Sequence, residues 1–126
     1  MSPHEFDRLV AAAYAGIPAR FRKRLKNVAL IVEPEPNGAQ LARGRVPRGN
    51  TLLGLYEGRP LTQRSVFEPF AWPDKITIFQ GPHERLAQRP EDLPRLVADT
   101  VWHEVAHYFG MDELQVRAAE KRRVRR

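Results

Sequence analysis

Apolar residues at helical spacing follow directly after the first few residues of the chain. Ser2, Pro3 and Glu5 form the pattern of a helix start, with Ser2 as the N-cap, Pro3 at the first helical position and Glu5 three residues after the cap. Apolar residues then recur every three or four positions. They are Phe6, Leu9, Val10, Ala13 and Tyr14. We therefore expect an amphipathic helix that ends at Gly16.

Three short stretches in the middle of the chain have the pattern of strands. Val28–Val32 is a continuous, largely β-branched run, which predicts a buried strand. Thr51–Tyr56 and Lys75–Phe79 predict two further strands, and Gly81 and Pro82 are expected to end the last of them.

The segments between these strands are less regular. Pro18–Lys26 predicts a second short helix, whose Phe21 and Leu25 point inward. Glu33–Asn50 contains three prolines and three glycines and predicts a long loop, which in a compact domain is usually functional or disordered. A second irregular stretch extends to Asp74.

The last third of the chain predicts helices. Glu91–Phe109 has apolar residues four positions apart, which is typical of a ridge that faces the core, and Gly110 ends this helix. The ridge consists of Leu93, Val97, Val101 and Val105. Asp112 and Gln115 have the spacing of a capping box for a final helix to about Arg122.

Composition and charge narrow the class of protein. The 126 residues fit one domain, without internal repeats. Cysteine is absent, which excludes disulfides, thiolate metal sites and cysteine nucleophiles and favours a cytoplasmic location. No secretory signal opens the chain, and no apolar run approaches the roughly 20 residues of a membrane span.

The net charge of +6 is concentrated at one end of the chain. Five of the 21 basic residues lie in the last six positions, so residues 1–120 carry 16 bases and 15 acids, a charge of about +1. We therefore expect a single domain over residues 1–126 whose basic residues 121–126 form a solvated, frayed tail.

The pattern HExxHxxGxxE, from His103 to Glu113, carries the clearest chemical signal. Residues four positions apart project from the same side of a helix, so His103 and His107 can bind one metal ion. Glu104 lies about 100° round the helix from His103, beside the ion. In that position it can take a proton from water at the metal and pass it to a leaving amine.

A catalytic zinc site needs a third protein ligand and one open position. Gly110 permits a sharp turn, after which Glu113 can return to the metal. Asp112, Glu120 and water are alternatives for this place. His83 lacks metal spacing, and we expect a surface or helix-start role for it.

These residues resemble the zincin metallopeptidases, and more narrowly a small bacterial family of single-domain, zincin-like metallopeptidases. The resemblance covers most of the chain. It rests on Leu52–Leu61, on Ile76–Pro82 and most specifically on Thr100–Glu113. It implies an α+β fold, with a small mixed sheet of about three to four strands packed against the N-terminal helix and the helix that carries the HExxH motif.

The same resemblance implies one zinc ion per chain. Its ligands would be His103, His107 and an acid at or near Glu113, and Glu104 would be the general base. The predicted function is therefore a zinc-dependent metallopeptidase that acts on peptide or protein substrates. A substrate strand could pair with Thr51–Tyr56 or with Lys75–Phe79.

Two other functions remain open from the sequence. One is a zinc hydrolase of RNA that would engage phosphates through the basic tail, although the RNA-processing hydrolases with a related motif lack a glutamate at the place of Glu104. The other is a non-catalytic zincin fold that binds a partner. We expect nucleic-acid contact, if any, only through residues 121–126, and no membrane partner.

Overall fold

The computed structural model describes residues 1–25, 27–47, 49–58 and 74–110. In chain order the elements are α1 (Pro3–Ala15), α2 (Ala19–Arg22), β1 (Val28–Glu33), α3 (Gly38–Arg43), β2 (Gly54–Glu57), β3 (Asp74–Phe79), α4 (Gln80–Leu86), a short 3₁₀ helix (Pro90–Asp92) and α5 (Leu93–Tyr108). None of the helices in these ranges is long and apolar enough to cross a membrane.

The N-terminal helix begins as the sequence predicts. The Ser2 hydroxyl accepts a hydrogen bond from the backbone N–H of Glu5 at 3.1 Å, and Pro3 occupies the first turn. The cap satisfies one of the N–H groups that a helix start leaves without a partner. Phe6 and Val10 on the predicted apolar face are buried, so α1 is held by its core-facing side.

The three strands form one mixed sheet in the order β1-β3-β2. β1 pairs with β3 in parallel, with Val28 opposite Asp74, and β2 pairs with β3 antiparallel, with Gly54 opposite Ile78. β3 is therefore the central strand. The prediction that Lys75–Phe79 could accept a substrate strand is wrong, because β1 and β2 already use both of its edges.

The core lies between one face of this sheet and the helices α1 and α5. Ile76 and Ile78 of β3 are buried here, and Phe21 packs edge-on against Trp102 at a ring distance of 5.4 Å. All four residues of the predicted ridge are at most 5% exposed, which confirms that α5 buries the valine side. The α+β fold, the mixed sheet and its two packed helices are confirmed as well.

Two helices occur where the sequence analysis predicts none. α3 lies within the predicted loop Glu33–Asn50, and its start is a complete capping box between Asn37 and Gln40. β3 ends at Phe79, as predicted, but α4 follows it without an intervening turn, so Gly81 and Pro82 lie in the first turn of a helix. Pro82 is tolerated there because first-turn N–H groups make no helical hydrogen bond.

Several boundaries also differ from the predicted ones. α2 covers only part of Pro18–Lys26, and β2 begins at Gly54 instead of Thr51. The pairing nevertheless continues one residue earlier, because the N–H of Phe79 donates to the carbonyl oxygen of Leu53 at 3.0 Å. α5 begins at Leu93 after the 3₁₀ turn, not at Glu91.

Truncation of Phe6 tests the core that joins α1 to the sheet and α5. The Phe6 side chain is completely buried, so we expect Phe6→Ala to lower the free energy of unfolding by about 3–5 kcal/mol. Leu86→Ala is the matched control, because Leu86 is 50% exposed and should change stability by less than about 0.5 kcal/mol. Urea unfolding followed by circular dichroism measures both. Equal midpoints for the two variants would contradict this core.

Candidate metal centre

Helix α5 presents the histidine pair, His103 and His107, on the side opposite its buried ridge. Val101 and Val105 are at most 1% exposed, whereas both histidines are half-buried and line a cleft. Their ring centroids lie 4.8 Å apart. The spacing of four residues therefore brings the two imidazoles together, as the sequence predicts.

Glu104 lies beside the histidine pair and is only 8% exposed. The ligand-type atoms of His103, Glu104 and His107 all lie within 4.8 Å of one another, and we call these three residues the metal group. Imidazole nitrogens and a carboxylate oxygen are the donors that zinc takes in catalytic sites. The residues present thus fit a zinc ion, with two imidazoles to hold it and a carboxylate next to it.

Gly54 explains why the sheet can approach α5 so closely. A Cβ atom at this position would lie 2.8 Å from Cγ2 of Thr100 and 3.1 Å from Cγ of Glu104. Glycine is therefore the residue that lets the first position of β2 rest on α5. The backbone of β2 in turn covers the stem of Glu104, which accounts for the burial of this acid.

The cleft has two arms that meet at Gly54, His103 and Glu104. The first, which we call the apolar arm because three leucines contribute to its lining, has a volume of about 360 Å³ and lies between α5 and the segment that leads into β2. Its distinguishing residues are Thr51, Leu53, Leu96, Asp99 and Thr100. The second, which we call the polar arm, has a volume of about 410 Å³. Its distinguishing residues are Arg43, Gly44, Leu55, Tyr56 and His107.

Tyr56 is a residue of the cleft that the sequence analysis did not single out. It lies on the same face of β2 as Gly54, and its hydroxyl donates a 2.7 Å hydrogen bond to Asp74. Its ring meets that of Tyr108 edge-on at 6.2 Å. Strand alternation is the signal that could have found it, since Gly54 and Tyr56 are two positions apart.

His83 lies near the start of α4, as one of its two predicted roles has it, but it is buried, so the predicted surface role is wrong. Its Nδ1 lies 2.7 Å from the carbonyl oxygen of Phe79, and its Nε2 lies 2.8 Å from Oγ1 of Thr100. A carbonyl oxygen only accepts, so Nδ1 carries the proton. Burial lowers the pKa of His83 below its ordinary value, and the hydrogen bond to Phe79 opposes this effect in part. The contact between Nε2 and the Thr100 hydroxyl joins α4 to α5.

The third predicted ligand lies outside the residues that the structure describes. This holds for Glu113, for both alternative acids, Asp112 and Glu120, and for the basic tail of residues 121–126. The role of Glu113 therefore stays a prediction, as do the roles of the other three site residues.

Comparison with known proteins identifies the class to which this site belongs. The pattern of the zincin-like metallopeptidase family matches residues 25–123, and the chain therefore belongs to this family. The resemblance drawn from the HExxH motif is thereby confirmed.

A solved structure of a conserved hypothetical protein from Thermo thermophilus has a similar fold. The TM-score is 0.56 at 23% sequence identity, over 86% of this chain and 94% of the other. No curated protein matches the chain. The structural likeness concerns the fold, and the family assignment rests on the sequence pattern.

Gly54→Ala tests the close approach of β2 to Glu104. The added methyl group would overlap Thr100 and press on Glu104, so we expect a loss of about 1–3 kcal/mol in the free energy of unfolding. Gly38→Ala is the matched control, because a Cβ there meets no atom within 4 Å and should be neutral or stabilising by up to about 1 kcal/mol. Urea unfolding compares the two. Equal stability of both variants would refute the contact.

The burial of His83 makes a second prediction, on the pH dependence of stability. The pKa of His83 is lower in the folded than in the unfolded protein. Its contribution to the free energy of unfolding is therefore fully present above the unfolded pKa of about 6.5, and it is lost as the pH falls through the folded pKa. We expect the unfolding free energy of the wild type to fall more steeply than that of His83→Gln between about pH 7.5 and about pH 5. Parallel curves from urea titrations would be the contrary result.

Proposed function

We propose that this chain is a zinc-dependent peptidase whose reaction takes place where the two arms of the cleft meet. The observation that carries the proposal is the metal group itself, with two imidazoles and one buried carboxylate on a single helix of a zincin-like chain. Both histidines and Glu104 line the polar arm, so a substrate in that arm would reach all three side chains.

His103 and His107 would hold the ion, and Glu113 would complete the ligand set. Zinc is the metal that this donor set favours, since imidazole and carboxylate ligands that leave one open position are typical of zinc hydrolases. Bound there, zinc would polarise the scissile carbonyl group and make a water molecule more acidic.

Glu104 would act as the general base. Its carboxylate is positioned beside the two imidazoles and is shielded by β2, so it can accept the proton of the attacking water without itself being a required ligand. The protonated carboxyl group would then return this proton to the leaving amine. General acid–base steps of this kind contribute about 10²- to 10⁴-fold to rates.

β2 offers a way to orient the substrate. It lies at one edge of the described sheet, and an extended peptide that pairs with this edge by main-chain hydrogen bonds would be held in one orientation. Such a peptide would lie directly against the cleft, because Gly54 and Tyr56 of β2 line the polar arm. This geometry supports a peptide as the substrate class.

Metal analysis of variants separates zinc binding from catalysis. We expect about one zinc ion per chain in protein purified without chelator or metal-affinity resin, and loss of this zinc in His103→Ala/His107→Ala. Glu104→Ala should retain the ion and lose peptide hydrolysis by at least about 100-fold. Plasma emission spectroscopy and mass spectrometry of a peptide-library digest measure the two properties.

The same zinc analysis tests the third ligand, with Asp112→Ala as the matched control for Glu113→Ala. We expect zinc affinity to fall in the Glu113 variant and to persist in the Asp112 variant. A wild-type chain that stays free of zinc after zinc is supplied, or a Glu104→Ala variant that still cleaves peptides at the wild-type rate, would refute the proposed peptidase.

A further inference from the structure

The polar arm of the cleft contains a cation that neither the motif nor the family match assigns to any role. Arg43 is the last residue of α3, the helix that the sequence analysis does not predict, and it lines this arm together with Tyr56 and the metal group. Among the described residues that line the polar arm, Arg43 is the one arginine or lysine. Its placement therefore bears on which substrates fit.

The position of Arg43 is fixed by contacts at both ends of α3. The capping box of Asn37 and Gln40 fixes the start of the helix, and buried Gln40 also donates to the Glu33 carboxylate at 3.1 Å. Gly44 follows directly and packs so closely on Leu52 that a Cβ would lie 2.9 Å from its Cδ1 atom. α3 is thus anchored to the same segment that forms the wall of the cleft.

The guanidinium group of Arg43 forms an ion pair with Glu57. Glu57 ends β2, and its Oε2 accepts from Nη1 of Arg43. The Arg43 side chain nevertheless stays 61% exposed, whereas that of Glu57 is 21% exposed. A guanidinium group has five N–H donors in a planar fork, which can bind a second carboxylate beside the first. The guanidinium group is therefore held by Glu57 and largely exposed, and it belongs to a residue that lines the polar arm.

We propose that Arg43 is a specificity residue that selects substrates with a carboxylate in the polar arm. The inference rests on the proposed peptidase function and adds the substrate class, namely peptides with an acidic group on one side of the scissile bond. The carboxylate can belong to an Asp or Glu side chain or to the end of a short peptide. A charge-assisted bond to a partly exposed arginine supports a preference of about threefold to tenfold.

Digestion of peptide pools by the zinc-loaded protein tests this proposal. One pool contains acetylated, C-terminally amidated peptides in which Asp, Glu, Asn, Gln or Lys occupies each position in turn, and a second contains the same peptides with free carboxyl ends. We expect the kcat/KM of the wild type to be about threefold to tenfold higher for peptides with Asp or Glu than for the same peptides with Asn or Gln. Arg43→Glu should instead prefer the peptides with Lys. Faster cleavage of the second pool than of the first, whichever residue is varied, and loss of this difference in Arg43→Glu would identify the terminal carboxylate as the source.

Arg85→Glu is the matched control, because Arg85 is also 61% exposed and paired with a glutamate, Glu35, but does not line either arm. It should keep the wild-type preference. Anisotropy of a labelled acidic peptide on the Glu104→Gln background gives a second readout that needs no turnover, and Arg43→Glu should weaken this binding.

If Arg43→Glu and Arg85→Glu both cleave peptides with the selectivity of the wild type, the role of Arg43 is refuted and the proposed peptidase function is unaffected. Absence of any cleavage by the zinc-loaded wild type would instead refute the proposed function, and the inference with it.

Discussion

The packing of the valine ridge of α5 against α1 and β3 is the interaction on which the candidate site depends. A helix has a fixed angle between successive side chains, so burial of Val97, Val101 and Val105 leaves one orientation for the residues between them. His103 and His107 must then face the cleft. The hydrophobic core thus positions the histidine pair through the geometry of the helix that carries both.

The second constraint is the separation between β2 and this helix. Gly54 allows a separation that no other residue would permit, and the burial of Glu104 follows from it. A carboxylate that is covered on one side by backbone and open to the cleft on the other has few positions available to it. A general base needs a defined position of this kind more than it needs an unusual environment.

The parts of the fold with repetitive patterns could be predicted from the sequence. The apolar periodicity of α1 and α5 and the β-branched run of β1 specify elements that bury one side, and the HExxH spacing specifies a shared helix face. α3 was missed because prolines and glycines surround it, although Asn37 and Gln40 have the spacing of a capping box. Its start is encoded by two polar side chains and not by an apolar period.

The position of His83 and the order of the strands required the structure. A histidine is as compatible with a helix surface as with the core, and only the tertiary partners of His83, Phe79 and Thr100, decide between the two. The sequence likewise contains no local signal that places β3 between β1 and β2, because a parallel pair and an antiparallel pair are joined over long connections.

The location of His103 and His107 on one helix has a consequence for how the protein folds. An ion held by His103 and His107 links positions four residues apart, and so it closes a very small loop and removes little chain entropy. In zinc fingers, by contrast, the ion joins separate segments and the chain is unfolded without it. Here α1, the sheet and α5 are joined by apolar packing, so we expect the scaffold to fold without an ion.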